Sequence, residues 1–123
     1  MKIILSNKSE LPIYEQITTQ IKEQIMSAEL TEGQVLPSIR QLAKELGISV
    51  ITTTRAYSDL EAEGFISTMQ GKGTFVLGRD SNIVREQYLK RIEDCFMSAI
   101  DYAQIANITN KELEQILKNL MGG

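Results

Sequence analysis

Isoleucines at positions 13, 17, 21 and 25 recur every four residues, with Tyr14 and Met26 flanking them, and this marks one face of an amphipathic helix. Its start is placed at Leu11-Pro12, because a proline in the first turn has no intrahelical partner to lose. Its end is placed near Leu30, before Gly33. A second, shorter stripe of Ile39, Leu42, Ala43 and Leu46 predicts a helix that Ser38 caps, with Gln41 completing a capping box and Gly47 terminating it. Only Ile48 and Ser49 follow before a third helix, which Ser49 can cap and which runs to about Glu63, where Gly64 stops it. Its inward positions are Ala56 and Leu60, with Thr53 and Tyr57 as further candidates. Two short helices joined by a tight glycine turn form a helix-turn-helix pattern. The period then changes. Phe65-Ile66-Ser67-Thr68 and Thr74-Phe75-Val76-Leu77 are rich in β-formers and flank a glycine-containing loop, which predicts a β-hairpin, or wing.

Arg79-Asp80-Ser81-Asn82 is a polar break and the expected domain boundary. Beyond it, Ile83 to about Ile105 reads as a helix with Tyr88/Leu89, Ile92, Phe96, Ala99/Ile100 and Ala103 on its apolar side. A last helix starts at Thr109, where Thr109 and Glu112 make a capping box, and carries Leu113, Ile116, Leu117, Leu120 and Met121. The expected fold is α+β and mostly helical. It comprises a winged helix-turn-helix over residues 1–79, with three helices and a hairpin wing, and a two-helix tail over residues 80–123.

Charge complicates this picture. The formal net charge is −3. Residues 1–79 carry eight Lys/Arg against nine Asp/Glu, and residues 80–123 five against seven, so nucleic-acid binding requires cations gathered on one face. The absence of histidine removes His-based metal ligands and general bases, and the single Cys95 excludes an internal disulfide and a multi-cysteine zinc site. No metal or cofactor is expected. The first residues have too short an apolar run for a signal peptide, and no stretch approaches the ~20 apolar residues of a membrane span, so a cytoplasmic location without membrane attachment is expected.

Four motifs in register resemble the GntR family of bacterial regulators: Pro12-Ile13-Tyr14-Glu15-Gln16-Ile17; Leu36-Pro37-Ser38-x-Arg40-x-Leu42-Ala43-x-x-Leu46-Gly47; Arg55-Ala56-Tyr57-x-x-Leu60-Glu61-x-Glu63-Gly64-Phe65-Ile66; and Gln70-Gly71-Lys72-Gly73-Thr74-Phe75-Val76. They cover residues 11–77, and the short helical tail is similar to that of the YtrA-type branch, whose two C-terminal helices serve dimerisation. The resemblance implies a sequence-specific DNA-binding regulator, more often a repressor, acting as a homodimer on a palindromic operator, often of a membrane-transporter operon.

In helix-turn-helix proteins the second helix of the motif enters the major groove with its N-terminal residues nearest the bases. Those positions are Ser49, Val50, Ile51, Thr52 and Thr54. Hydroxyls can bond base edges or phosphates, and apolar groups can meet the thymine methyl; the competing role is capping and core filling. Many relatives carry Arg or Asn near Val50 and Ile51, so either this pair packs on thymine methyls or one member turns into the protein. Arg40, a permanent cation with a forked donor set, suits phosphate or guanine, against a surface pair with Glu45. Ser38 can reach a phosphate, though capping alone explains it. Arg55 either reaches the DNA backbone or pairs with Asp59 at i+4, and Lys44 is a weaker phosphate candidate. At the wing, Gly71 and Gly73 permit a tight turn that sends Lys72 to phosphate or the minor groove, against an ordinary solvated hairpin. This is not a phosphate-binding P-loop, since a glycine and a strand follow the lysine.

Tyr88, Ile92, Phe96 and Ile100, with Leu113 and Leu117, are expected at a dimer interface, because two short helices bury little alone and twofold symmetry matches a palindrome. They leave little room for a small-molecule effector. Cys95 is expected as a small apolar residue, buried or interfacial. The competing function is a winged helix used for protein–protein contact, favoured by the acidic total and the Val50-Ile51 pair. An enzyme is not expected, with no histidine, nucleotide fingerprint or paired nucleophile.

Overall fold

The computed structural model describes residues 1–123. Its elements are α1 (Ile13–Met26), β1 (Val35–Leu36), α2 (Ile39–Leu46), α3 (Val50–Ala62), β2 (Ile66–Met69), β3 (Gly73–Val76), α4 (Asn82–Ile105) and α5 (Asn110–Leu120). They divide into two compact units, Met1–Glu86 and Gln87–Gly123. The expected α+β fold stands: three helices, a wing and two C-terminal helices.

In the first unit the every-fourth-residue stripe is the core. Ile17, Ile21 and Ile25 of α1 are buried with Leu42 and Ala43 of α2 and Thr53, Ala56, Tyr57 and Leu60 of α3. Full burial of one such aliphatic side chain stabilises by roughly 1.5–3 kcal/mol, so the three isoleucines are the main adhesive of α1. Phe65, Ile66 and Val76 close the core from the sheet side, and Val84 does so from the first turn of α4. A Lys22–Glu63 salt bridge ties α1 to the end of α3, with the Lys22 ammonium 5.6 Å from the Phe65 ring centre. Gly64 follows with φ +85°, and a Cβ there would collide with the Ile83 side chain, so both backbone conformation and space demand glycine.

Two expectations need correction. The first helix ends at Met26, not near Leu30, because Ala28 takes φ 66° and the turn closes through the Leu30 amide onto the Gln24 carbonyl at 2.9 Å. Leu30 is buried nonetheless. The wing is also more than a hairpin. The two-residue β1 pairs antiparallel with β3 (Val35↔Phe75, Leu36↔Thr74), giving a three-stranded sheet of order β1-β3-β2. Pairing of β2 with β3 runs from Ile66↔Val76 to Met69↔Gly73.

Ahead of α1, residues 2–6 run antiparallel to the helix as a strap held by three glutamines. Gln20 accepts the Ile4 N–H (2.9 Å) and donates to the Ile4 carbonyl (2.7 Å). Gln16 does the same for Ser6 (2.8 and 3.0 Å) and also donates to the Leu11 carbonyl, and Gln24 donates to the Lys2 carbonyl (2.8 Å). Four helical residues rise about 6 Å and two extended residues about 6.6 Å, so glutamines at every fourth position match alternate strap residues.

In the second unit, Ala103 is buried where the chain reverses, and Asn107 takes φ 56° in the turn. Thr109 caps α5 by accepting the Glu112 N–H at 3.2 Å. No α5 side chain is buried.

Candidate nucleic-acid interface

Ser38 caps α2 by accepting the Gln41 N–H at 3.1 Å, and Gly47 ends that helix in the left-handed conformation. The start of α2 is pinned to α3 by the Tyr57 hydroxyl, which donates to the Pro37 carbonyl at 2.7 Å. Burial of this phenol raises its pKa, and the Glu45 carboxylate adds to the effect, so Tyr57 stays protonated. Arg40 is exposed and forms no salt bridge with Glu45; Lys44 is likewise exposed and unpaired.

At the front of α3, Ser49 accepts the Thr52 N–H at 3.1 Å and donates to the Thr52 hydroxyl at 2.9 Å. The Thr54 hydroxyl donates to the Val50 carbonyl at 2.7 Å, which leaves its lone pairs to accept from outside. Val50 is 46% and Ile51 83% exposed, so neither turns into the protein. Ile51, Thr54, Arg55 and Ser58 share one exposed side of α3 by helical spacing. Ser58 was not among the residues expected on this side; its spacing from Ile51, Thr54 and Arg55 places it there.

Arg55 makes no pair with Asp59. Its guanidinium lies over the Tyr14 ring of α1, 3.7 Å from the centroid. The expected alternatives for Arg55 did not include this partner, because nothing in the local spacing links residue 14 to residue 55.

The wing tip holds Gly71 at φ 79° and Gly73 at φ 105°, with Lys72 exposed between them and its amide bonded to the Met69 carbonyl at 3.0 Å. The wing is tied to α3 by Glu61, whose carboxylate accepts the Thr68 N–H at 2.7 Å. Sequence inspection missed this link too. The first unit thus carries an exposed hydroxyl- and methyl-bearing front on α3, with exposed cationic side chains on α2, α3 and the wing. That is chemistry suited to a nucleic-acid groove and its phosphates.

In the second unit, Ile92 (48%), Phe96 (48%), Ile100 (38%) and Leu117 (38%) are exposed, and Tyr88 and Leu113 half-buried. Phe96, Ile100, Leu113 and Leu117 line an open apolar groove of about 310 Å³. Cys95 is exposed, which removes the buried alternative expected for it and leaves the interfacial one open. No cluster of three or more His, Cys, Asp or Glu side chains could hold a metal ion, and no helix is long and apolar enough to cross a membrane.

Compared with known proteins, residues 13–76 match the family described as bacterial regulatory proteins, gntR family. This chain belongs to the GntR family. Its members are transcription regulators, not enzymes, and for some of them the similarity extends over nearly the whole of this GntR-family chain. It is 31% identical over 118 residues to the HTH-type transcriptional repressor YtrA of Bacillus subtilis, covering 96% of this chain and 91% of that one. The structure of YtrA from Sulfolobus acidocaldarius, a GntR-family transcription factor, superposes with a TM-score of 0.61 at 38% identity, covering 77% of this chain and 97% of that one. The AraR DNA-binding domain, in a structure with operator ORE1, superposes with a TM-score of 0.52 at 30% identity, covering 62% of this chain and 93% of that one.

Proposed function

We propose that this GntR-family protein is a cytoplasmic, dimeric repressor that reads a palindromic operator. The front of α3 (Ser49, Val50, Ile51, Thr52 and Thr54) lies in the major groove, and Arg40 with Ser38 anchors the backbone. Lys72, carried by Gly71 and Gly73, meets phosphate or the minor groove beside it. Residues 1–79 form the DNA-binding domain and residues 80–123 the dimerisation tail, whose Tyr88, Ile92, Phe96, Ile100, Leu113 and Leu117 pair with a second copy. Transporter genes as targets rest on the resemblance to the YtrA-type branch alone.

The observation that carries this reading is that Arg40 on α2 and Lys72 at the wing tip are exposed and outside any salt bridge, which suits an anionic partner and not an apolar protein surface. The exposed Val50 and Ile51 at the start of α3 are compatible with it, because thymine methyls offer them contact. The open apolar groove of the tail supports dimerisation, which sets two reading helices about one DNA turn apart.

The test is binding of the purified protein to the DNA upstream of its own gene, with salt titrated and Arg40→Ala alongside. Tight binding that protects a palindrome, weakens steeply with salt and fails in the variant supports the proposal. Equal affinity for that DNA and for random duplex, unchanged in Arg40→Ala, refutes the assigned face.

A further inference from the structure

The stack of Arg55 on Tyr14 leaves an arginine in an unusual state. Its guanidinium sits 3.7 Å from the ring centroid, yet the residue is exposed and no carboxylate pairs with it. A guanidinium carries all five donors in its plane and none on its faces. Stacking therefore occupies a face that makes no hydrogen bonds and leaves the donor edge open. The ring beneath is itself held. Tyr14 is half-buried in the first turn of α1, and its hydroxyl donates to the Glu15 carboxylate at 3.2 Å. An arginine placed only to join α1 to α3 would be expected to find an acid. This one keeps its full charge, loses rotamer freedom in advance, and shares the exposed side of α3 with Ile51 and Ser58.

We propose that Tyr14 is a positioning residue that presents Arg55, edge-on, to a backbone phosphate of bound DNA. The inference rests on the DNA-binding reading above. Phosphate is favoured over a base because Arg55 lies beyond the first turn of α3, behind the residues nearest the groove floor, and because a planar fork matches two phosphate oxygens. Fixing the fork before binding removes part of the ordering cost that a free arginine would bear.

Since phosphate contacts are indifferent to sequence, the test uses a short random-sequence duplex as well as the upstream DNA, with affinity followed against salt. Arg55→Gln is expected to make the log–log salt slope shallower by about 0.9 per subunit bound. Tyr14→Leu is expected to weaken binding about two- to fivefold per subunit through loss of the stack, on both duplexes alike. Tyr14→Phe keeps the ring and loses only the bond to Glu15, so it should keep the parent's salt slope and bind more tightly than Tyr14→Leu. Tyr14→Leu added to Arg55→Gln should cost nothing more, since the ring acts only through the arginine. A merely structural stack would lower the melting temperature and leave the salt slope untouched, and that result overturns the proposal. Should Tyr14→Leu fail to fold, Arg55→Gln decides alone: an unchanged slope overturns it. If the parent protein itself shows no salt-dependent affinity for either duplex, the DNA-binding reading falls and takes this inference with it. Parent binding with normal variants sinks only the inference.

Discussion

Removing Glu61 sets two physical effects against each other. Its carboxylate, in the last turn of α3, accepts the Thr68 amide at 2.7 Å, and Thr68 lies on β2, the edge strand of the sheet. The bond therefore ties the end of α3 to the wing. A hydrogen bond to a charged acceptor contributes about 1.5–3 kcal/mol, and in this exposed position about 1 kcal/mol is a fair allowance. If the wing docks only in the tethered orientation, Glu61→Ala weakens DNA binding about fivefold per half-site, and about thirtyfold when both wings of a dimer must dock. Simple electrostatics predicts the opposite sign. Deleting an anion some 10 Å from DNA relieves about 0.4 kcal/mol of repulsion per charge in water, less with salt. Glu61→Gln separates the two effects, because it keeps an acceptor oxygen and loses the charge, and it should bind as well as the parent or better. Fluorescence anisotropy at constant salt, with thermal melts to confirm intact folding, provides the readout. Placing Glu61→Ala in a Lys72→Ala background should shrink its effect, since the tether then orients a wing without its cation. Binding by Glu61→Ala as tight as by Glu61→Gln would refute the tether.

Three further outcomes are expected. Gln20→Ala removes both bonds to Ile4 and should cost about 1 kcal/mol at this exposed site, seen as faster hydrogen exchange at the Ile4 amide with Ile21 unchanged; equal exchange would show that the ladder does not hold the strap. Tyr57 has a raised pKa, so the folded state keeps a proton that the unfolded chain releases above about pH 10, and the stability linked to it is present below that value and lost above it. Tyr57→Phe should cost about 1 kcal/mol near neutrality through the lost bond to Pro37 and flatten the alkaline decline in urea-unfolding free energy; an equally steep decline would deny the assignment. Phe96→Glu puts a charge into the apolar groove of the tail and should raise the dimer dissociation constant about thirtyfold or more in sedimentation equilibrium, with weaker operator binding; an unaffected dimer would move the interface elsewhere.

Elements whose signals are local were legible in the sequence. Ser38, Ser49 and Thr109 each cap the helix assigned to them, accepting the N–H three residues on, and the isoleucine stripe of α1 is buried. Those signals live within one turn of helix, where spacing determines contact. What escaped was non-local or too short to carry a pattern. β1 is two residues long, so alternation cannot reveal it, and it exists only because β3 offers an edge. The Tyr14–Arg55 stack and the Glu61–Thr68 tether depend on how α1, α3 and the sheet are juxtaposed. The strap escaped for a related reason: Gln16, Gln20 and Gln24 read as the polar side of α1, and nothing in their spacing says that residues 2–6 lie along it.

The acidic total also yields to this geometry. The first 79 residues hold one more acid than base. Glu63 is paired with Lys22, while Glu15 and Glu61 accept hydrogen bonds from Tyr14 and the Thr68 amide, and Glu45 and Asp59 lie on α2 and α3 without a salt bridge. Arg40, Lys44, Arg55 and Lys72 are exposed and take no part in an ion pair. What DNA senses within a Debye length of about 8–10 Å is this local set and not the sum over the chain. On the proposed dimer reading, four cations per subunit would bound the salt slope at about −7, and any affinity from Val50 and Ile51 would be insensitive to salt. A measured slope well beyond that bound would require cations outside α2, α3 and the wing, with Lys2 of the strap or Lys8 just after it the next to substitute.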